Sequence, residues 1–339
     1  MRYNINTART WAIYVPFHNT GWRVAAAGEG RNLKALVLGG GGFIGSHLTA
    51  SLLADGNFVR VFERPYRDRS TSMPAHSGLE WREGDFGNAQ DLGRALDGID
   101  TVFHLISTTQ PQSSNDDPAF DVQSNLLPTL GLLEQLRRRA GVRLVFVSSG
   151  GTVYGVPRQT PIPETHPTEP TCSYGIVKLA VEKYLALYRT LHGLDYRIVR
   201  LANPYGPGQE ANRAQGVAGT FLYRVTHGQA IEVWGDGSVV RDYLYIGDTV
   251  SALRRTAEYG GDERIFNIGS GTGHSVNEIL TAVEAAAGRK AEVRYTPGRK
   301  FDVPVSILDI SRAQAELGWR PVVDLAAGLR LTYAAITGK

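Results

Sequence analysis

Two side chains, Tyr174 and Lys178, have the types and the spacing to abstract a proton from an alcohol. They lie in the run Ser173–Tyr188, whose apolar residues predict a helix with a broad apolar face. Four residues of separation place them on one side of that helix, one turn apart. A phenol titrates near about 10, and a neighbouring ammonium lowers its pKa by stabilising the phenolate. The spacing predicts a base for the hydroxyl of an alcohol or a sugar; the alternative is a plain surface pair.

A glycine-rich turn earlier in the chain has the form of a dinucleotide site. Leu33–Leu38 is a short apolar run, typical of a buried parallel strand. It leads into glycines at Gly39, Gly42 and Gly45, and then into a predicted helix over Ser46–Leu53. In such a turn the backbone N–H groups and the helix dipole face a pyrophosphate, and glycine lets that group approach closely.

An acid at the end of the second strand selects the cofactor. Phe58–Phe62 is the strand, and Glu63 follows it, 24 residues after Gly39. A carboxylate there can accept both ribose hydroxyls and repels a 2′-phosphate. The sequence therefore predicts NAD, with NADP kept as the alternative by the adjacent Arg64.

Strands and helices continue to alternate after this point, which predicts an α/β fold with a doubly wound parallel sheet. A third short strand precedes Gly84. The later predicted elements are a helix Asp91–Leu96, a strand Thr101–Ile106, a helix Asn125–Arg139, a strand Val142–Val147 and a strand Tyr196–Leu201.

Several residues at the strand ends are candidates for the cofactor site or for the core. Asp85 could reach the adenine with Phe86 packed beside it, or the two could simply form a turn. Leu105 is expected to line the cofactor, whereas His104 in the same strand is predicted to be a satisfied core histidine. Beyond the fifth strand, the small and hydroxyl-bearing residues Ser148–Gly155 stand where a doubly wound sheet binds ligands.

The composition excludes several classes of protein. With 339 residues, 42% of them hydrophobic and 20% charged, the chain has the balance of a globular protein of one large domain or two lobes. A net charge of +3, with cations scattered among acids, gives no nucleic-acid surface. No apolar run reaches the length of a membrane span, and the eight histidines show no metal-ligand spacing.

The single cysteine, Cys172, excludes an intrachain disulfide and fits a reducing compartment, so we expect a cytoplasmic protein. Residues 1–32 hold four arginines, one acid and scattered aromatics without periodicity. We interpret them as a poorly ordered extension; a targeting leader or an added surface element is the alternative.

Taken in order, the motifs resemble those of the extended short-chain dehydrogenase/reductase family, and most closely its nucleotide-sugar epimerase branch. The resemblance runs from residue 33 to about 335. It rests on the glycine loop continued by Phe43–Leu48, the Tyr-x-x-x-Lys helix, Asn203–Gly208, Trp234–Gly237, Arg241–Tyr243, Asp309–Ala313 and Leu317–Trp319. It implies a Rossmann NAD-binding domain over residues 33–200 and a smaller C-terminal α/β substrate lobe over 201–339, with some segments returning to the first domain.

The resemblance also implies roles for individual residues. Tyr174 becomes the base, and Lys178 contacts the nicotinamide ribose. Asn203 meets the pyrophosphate of a nucleotide sugar, while Arg241 and Arg299 bind its phosphates, since guanidinium forks bind phosphate oxygens in pairs. The remaining implied contacts are Phe43 and Ile44 with the cofactor, and Glu232 and Trp234 with the nucleotide base.

One departure from the family pattern concerns the catalytic hydroxyl. The family's Ser or Thr sits three residues before the Val of Val-Tyr-Gly, and that position is Gly150 here. Ser149, Thr152 or a water is expected to replace it, to hydrogen-bond the sugar's 4-oxygen and to pass its proton towards Tyr174.

The same stretch separates related reactions. Dehydratases of this fold carry Asp-Glu and decarboxylases a Glu where this chain has Gly151 and Thr152. The resemblance therefore implies chemistry confined to C4, namely NAD-dependent epimerisation of a UDP-hexose or UDP-uronic acid. A reductase, dehydratase or decarboxylase of the same fold is one alternative, and a dinucleotide-sensing protein that has lost catalysis is another. As in relatives, Asn125–Arg139 and Ser173–Leu191 are expected to pair with their copies in a C2 homodimer.

Overall fold

The computed structural model describes residues 33–65, 75–209, 216–298 and 303–338. Its strands are β1 (Lys34–Leu38), β2 (Phe58–Glu63), β3 (Leu79–Glu83), β4 (Thr101–His104), β5 (Arg143–Ser149), β6 (Asp195–Leu201), β7 (Asn203–Tyr205), β8 (Ile231–Trp234), β9 (Val240–Tyr245), β10 (Ile265–Ile268), β11 (Gly273–Ser275), β12 (Val293–Thr296) and β13 (Val305–Ser306).

The helices alternate with these strands along most of the chain. They are α1 (Phe43–Ala54), α2 (Ala89–Ala95), α3 (Ser113–Asp116), α4 (Pro118–Asp121), α5 (Leu127–Leu136), α6 (Ser173–His192), α7 (Val217–Thr226), α8 (Ile246–Glu258), α9 (Val276–Ala287), α10 (Ser311–Leu317) and α11 (Leu325–Thr337). A π-helical turn, Val122–Leu126, joins α4 to α5. Within the described ranges, every helix is too short or too polar to span a bilayer.

Seven strands form one parallel sheet in the order β10-β6-β5-β4-β1-β2-β3. The chain moves outward from β1 through β2 to β3 and then crosses to β4 on the other side of β1. At such a reversal the loops after neighbouring strands diverge and open a crevice at the carboxyl edge, where doubly wound sheets bind their ligands. The crevice here lies between the loops that follow β1 and β4.

Helices cover both faces of this sheet, so its strands are apolar on both sides. The helices α1, α8 and α10 pack with one face, and α2, α5 and α6 with the other. Accordingly, Ala35–Leu38 of β1 is completely buried along its whole length.

The C-terminal half builds a second, smaller core around α7, α9 and α11. There β9 pairs with β7, β11 and β13, and β8 pairs with β12. One strand of this half, β10, leaves the smaller core and pairs with β6 at the edge of the seven-stranded sheet. The two cores are therefore linked by backbone hydrogen bonds as well as by packing.

The predicted strands and the helix after the glycine loop are confirmed, with bounds shifted by a few residues. The predicted helix over residues 125–139 is also confirmed with shifted bounds: α5 begins at Leu127, directly after the π-helical turn, and ends at Leu136. Pro128 has no N–H and suits a helix start. In the π-helical turn before Pro128, the side-chain amide of Asn125 donates to the backbone carbonyl of Asp121 at 3.2 Å.

Candidate active site

The tyrosine and lysine of the Tyr-x-x-x-Lys motif lie in the first two turns of α6, as predicted. Lys178 is 6% exposed, and its ammonium donates to the carbonyl of Val147 in β5 at 2.9 Å. The same nitrogen lies 5.6 Å from the centre of the Tyr174 ring and 4.8 Å from that of Phe146. Both distances are within the range of a cation–π interaction, so the lysine fixes the helix, and the tyrosine with it, against the end of β5.

Burial sets the proton affinities of this pair. It raises the pKa of the Tyr174 phenol to about 12, although the Ser107 hydroxyl opposes the shift. It lowers the pKa of the Lys178 ammonium to about 8, against the attraction of Asp121 and Glu182. The pKa of Tyr174 is therefore shifted in the direction opposite to the predicted one, because desolvation of the phenolate is the largest cause of the shift.

The N-terminus of α6 is held by side chains that sequence reasoning missed. No side chain of its own N-cap residue caps it. Instead the Ser114 hydroxyl oxygen accepts from the N–H of Tyr174, and Asn115 Oδ1 accepts from the N–H of Ser173, both at 3.0 Å. The Ser173 hydroxyl donates to Asp121 at 2.8 Å. The only signal in the sequence was the polar character of the loop Ser107–Asp117.

His104 lies beneath the pair as a neutral core residue. Thr129 donates its only hydroxyl proton to the Asn125 carbonyl at 2.6 Å, so it must accept from Nε2 of His104, 2.9 Å away. Burial, together with the charge of Lys178, lowers the pKa of His104 to about 3. At neutral pH the ring therefore carries no charge.

The hydroxyl groups at the end of β5 differ in their surroundings. The Ser148 hydroxyl is buried and donates to Glu182 at 2.6 Å. Ser149 is partly exposed, and within the described ranges no hydrogen bond engages its hydroxyl. Thr152 Oγ1 is buried and has no partner among the same residues. The structure thus leaves Ser149 and Thr152 as the candidate hydroxyls, because the Ser148 hydroxyl is already bonded to Glu182.

Gly150, where the family pattern has Ser or Thr, has no room for a side chain. A Cβ there would lie 2.5 Å from Cδ1 of Leu308 and 3.2 Å from the carbonyl oxygen of Arg200. Leu308 is itself buried, so it cannot move aside without disturbing its own packing. At the next position, Gly151, an added Cβ would meet nothing within 4 Å.

The loop between β1 and α1 has the shape of a phosphate cradle. Gly39 adopts a φ of +82°, which favours glycine. A Cβ at Gly45 would lie 2.3 Å from the Gly39 carbonyl oxygen, and one at Gly40 would lie 2.8 Å from Val61. The helix α1 begins at Phe43 without a side-chain cap and without an acid in its first turn. No side chain of the helix therefore competes with a pyrophosphate for its first N–H groups.

The other residues of the loop also fit NAD. Gly42 is the N-cap residue of α1, and Ile44 is in its first turn. The Glu63 carboxylate accepts from the N–H groups of Gly41 and Arg64 at 3.3 Å each. It therefore lies directly beside the glycine loop, the place from which an acid reaches ribose hydroxyls.

Three further cofactor candidates lie at the ends of β3 and β4. The Asp85 carboxylate accepts from the Gly87 N–H at 2.9 Å. This bond is the one expected if Asp85 forms a turn, the alternative to an adenine contact. Phe86 is buried and packs edge-on against His104, with ring centres 5.1 Å apart. Leu105 follows β4 directly and is packed against the core while remaining partly exposed.

Two of the predicted phosphate ligands lie on the neighbouring strands β7 and β9. Asn203 pairs with Tyr243 across these strands, and its amide nitrogen donates to the Asp242 carbonyl at 2.9 Å. The Arg241 guanidinium donates to the Val303 carbonyl at 2.5 Å. Both side chains are thus oriented by backbone carbonyls of the second lobe.

Asp242 was missed by sequence reasoning, although it stands in the Arg-Asp-Tyr motif. Its buried carboxylate accepts from the hydroxyl and the N–H of Ser270, both at 2.7 Å, from the N–H of Gly271 at 3.2 Å and from that of Leu308 at 3.3 Å. Burial raises the pKa of this carboxyl, and these donors oppose the shift. The residue joins β9 to the segment after β10.

Glu232 and Trp234 lie together on the exposed face of the β8–β12 pair. The indole N–H of Trp234 donates to Glu232 at 2.9 Å, and the Thr296 hydroxyl donates to the same oxygen at 3.3 Å. Arg299 and the extension of residues 1–32 lie outside the described residues. The predictions for those segments stay predictions.

Replacing Gly45 with Ala should weaken NAD binding by at least about tenfold, because the new methyl group would collide with the Gly39 carbonyl and deform the cradle. Titration calorimetry with NAD measures this. Gly93→Ala in α2 is a matched control, since a Cβ there meets nothing closer than 3.7 Å. It should bind NAD as the wild type does and gain up to about 1 kcal/mol of stability. Unchanged NAD affinity in Gly45→Ala would contradict the cradle.

Replacing Gly150 with Ser should lower the free energy of unfolding by about 1–3 kcal/mol, because the side chain overpacks the site of Leu308. Gly151→Ser should change it by less than about 0.5 kcal/mol, since that Cβ enters open space. Urea unfolding curves of the two variants make the comparison. Equal free energies of unfolding for the two variants would contradict the steric exclusion of a side chain at position 150.

Comparison with known proteins agrees with this geometry. A UDP-glucose 4-epimerase from Mycolicibacterium smegmatis is 37% identical over an alignment of 314 residues, and the match covers 91% of this chain and 99% of that protein. The UDP-glucose 4-epimerase of Thermotoga maritima with UDP-glucose has a TM-score of 0.85 at 35% identity. That of Thermus thermophilus in complex with NAD has a TM-score of 0.84 at 36% identity. Each structural match covers 90% of this chain and 99% of the other.

The model of the NAD dependent epimerase/dehydratase family matches residues 35–269. That range contains the glycine loop, Glu63 and the Tyr174–Lys178 pair. With most of its length matched, and with a relative that it covers almost completely, this chain belongs to the NAD dependent epimerase/dehydratase family.

Proposed function

We propose that this protein is an NAD-dependent 4-epimerase of a UDP-linked hexose or uronic acid, acting through a transient 4-keto sugar. The observation that carries the proposal is the docking of Lys178 onto Val147, which holds Tyr174 at the same sheet edge as the glycine loop. The relatives from Mycolicibacterium and Thermotoga are UDP-glucose 4-epimerases, which supports a UDP-hexose as the substrate.

Tyr174 removes the proton of the sugar's 4-hydroxyl. With its pKa near 12 the phenol is protonated at neutral pH, so it needs positive charge nearby to act as a base. Lys178 supplies one such charge, because its pKa of about 8 keeps the ammonium protonated at pH 7. NAD, held by the glycine loop, Glu63 and Lys178, would supply a second positive charge and the acceptor for the hydride of C4.

Ser149 is the hydroxyl that we assign to the 4-oxygen. It stands at the carboxyl end of β5, is partly exposed, and can therefore meet a ligand in the crevice. Thr152 Oγ1 is buried, so a sugar could reach it only after the turn moved. A donor at this position stabilises the alkoxide that forms as the proton leaves.

The diphosphate of the substrate is held on the second lobe while the sugar turns over. One proton of the Asn203 amide goes to the Asp242 carbonyl, and the other is directed to a phosphate oxygen. Arg241 and Arg299 supply guanidinium groups, which bind phosphate oxygens in pairs. Rotation about the linkage then presents the opposite face of C4 to the hydride without release of the ketone.

We further propose a cytoplasmic homodimer formed through α5 and α6. The exposed apolar residues Ile176, Leu187 and Leu191 are spaced along one stripe of α6. Phe120 of α4 and Leu127 at the start of α5 are also exposed, and both of these helices contact α6. An exposed apolar surface of this extent marks an interaction site, and a twofold axis would bury the stripe against its own copy.

Tyr174→Phe should lower kcat by about 10²–10⁴-fold with little change in substrate affinity, because only the base is removed. Lys178→Met should act in the same direction, and Lys183→Met, an exposed lysine on the same helix, is its matched control. Chromatography of UDP-glucose, UDP-galactose, their N-acetyl forms and the uronic acids measures interconversion. Failure of the wild type to interconvert any of them would refute the epimerase proposal. Net formation of NADH, or loss of water or carbon dioxide, would assign another reaction.

Leu187→Glu combined with Leu191→Glu should convert the dimer to monomers, because two charges would be buried in the C-terminal part of the apolar stripe. Leu191 is 61% exposed, so the folded monomer tolerates the change. Val322→Glu is the control, since Val322 is 78% exposed and lies outside both helices. Sedimentation velocity gives the mass. A wild-type monomer, or a dimer that survives the double substitution, would rule out this interface.

A further inference from the structure

The helix α6 contacts the end of β5 through two successive strand residues. Lys178 donates to the carbonyl of Val147, and one helical turn later Glu182 accepts from the hydroxyl of Ser148 at 2.6 Å. The next residue of the strand is Ser149, the hydroxyl assigned to the substrate. The helix that carries the base is therefore bonded to the two residues directly before that hydroxyl.

Glu182 also forms a buried ion pair with Arg200 of β6. The two side chains are 3% and 4% exposed, and Nη2 of Arg200 lies 2.6 Å from Oε2 of Glu182. Burial alone would lower the pKa of Arg200, but its bonds to Glu182 raise it, so the guanidinium stays charged. Ser148 and Arg200 are paired across β5 and β6. They therefore present their side chains to the same face, where Glu182 receives both.

The same arginine anchors the far end of the turn. Its Nη1 donates to the Tyr154 hydroxyl at 3.0 Å, and the guanidinium carbon lies 4.8 Å from the centre of that ring. The Tyr154 hydroxyl in turn donates to Oδ1 of Asn267 at 2.7 Å. The short turn that carries Ser149 is thus bonded on one side through Ser148 and on the other through Tyr154, and both bonds lead to one ion pair.

A buried ion pair of this kind is a weak source of stability. Its desolvation cost offsets most of the attraction between the two charges. A network whose members are all hydrogen-bonded does, however, define one geometry, because any displacement leaves a buried polar group unpaired. The close fit of the helix supports that function, since a Cβ at Gly175 would lie 2.8 Å from the Thr152 carbonyl oxygen.

We infer that the Glu182–Arg200 ion pair is a positioning device for catalysis, which acts through Ser148 and Tyr154 to hold the Ser149 hydroxyl in register with Tyr174. The inference rests on the proposed epimerase activity. It makes Ser148 and Tyr154 positioning residues, which touch neither substrate nor cofactor. Displacement of a catalytic group by about 1 Å can cost up to about 10²-fold in rate, so loosening either bond should be visible in kcat.

Two substitutions loosen the turn without removing a charge. Ser148→Ala deletes one hydroxyl, and Tyr154→Phe deletes another while keeping the ring. Each should lower kcat about tenfold, with KM for the UDP-sugar and the affinity for NAD unchanged within about twofold. Ser149→Ala should lower kcat by about 10²-fold. Added to Ser149→Ala, neither substitution should lower kcat further, because the group that it positions is already absent.

Thr332→Val is the control for a purely structural effect. It removes a buried hydroxyl that donates to the Gly328 carbonyl at 2.7 Å in the second lobe, so it should lower the melting temperature and leave kcat unchanged. All variants are assayed at a temperature where melting curves show them folded.

Three results would overturn the inference: wild-type kcat in Ser148→Ala and Tyr154→Phe, losses that multiply with that of Ser149→Ala, or a fully active Ser149→Ala. A wild-type protein that interconverts no sugar is a separate result, because it overturns the proposed function itself.

Discussion

The docking of one helix onto one strand end determines the rest of this site. Lys178 and Glu182, one turn apart on α6, bond the backbone of Val147 and the side chain of Ser148. These bonds fix the position of α6 along β5, although the helix begins more than twenty residues after the strand ends. Tyr174 lies one turn before Lys178, so its position is fixed as well. Burial strengthens such polar contacts, because water cannot replace a partner that is lost.

Burial also decides what the ionisable groups can do. Tyr174 is a weak acid with a pKa near 12, Lys178 has a pKa near 8, and His104 stays neutral because its pKa is near 3. In this setting a proton leaves the phenol only where cationic charge gathers beside it.

The two lobes meet through buried polar residues rather than through apolar packing alone. Asp242 receives donors from Ser270, Gly271 and Leu308, and Asn267 bonds the Ile162 carbonyl at 2.8 Å. Leu308 then fills the space above Gly150. Leu308 therefore contacts both Asp242 of β9, through its N–H, and the turn after β5, through its side chain.

The parallel sheet, the glycine loop, the acid at Glu63 and the helix with Tyr174 and Lys178 were all predictable from the amino-acid sequence. Each of these depends on local spacing: the period of apolar residues, a turn that needs glycine, or two side chains one helical turn apart. Which hydroxyls are available depends on contacts between distant parts of the chain. Leu308, more than 150 residues later, leaves no room for a side chain at Gly150, and the Ser148 hydroxyl is hydrogen-bonded to Glu182. The tertiary structure also decided the pKa of Tyr174, since desolvation depends on what surrounds the ring and not on the residue four positions away. Spacing along the chain specifies elements, whereas burial, steric exclusion and the choice of hydrogen-bond partner arise where distant segments meet.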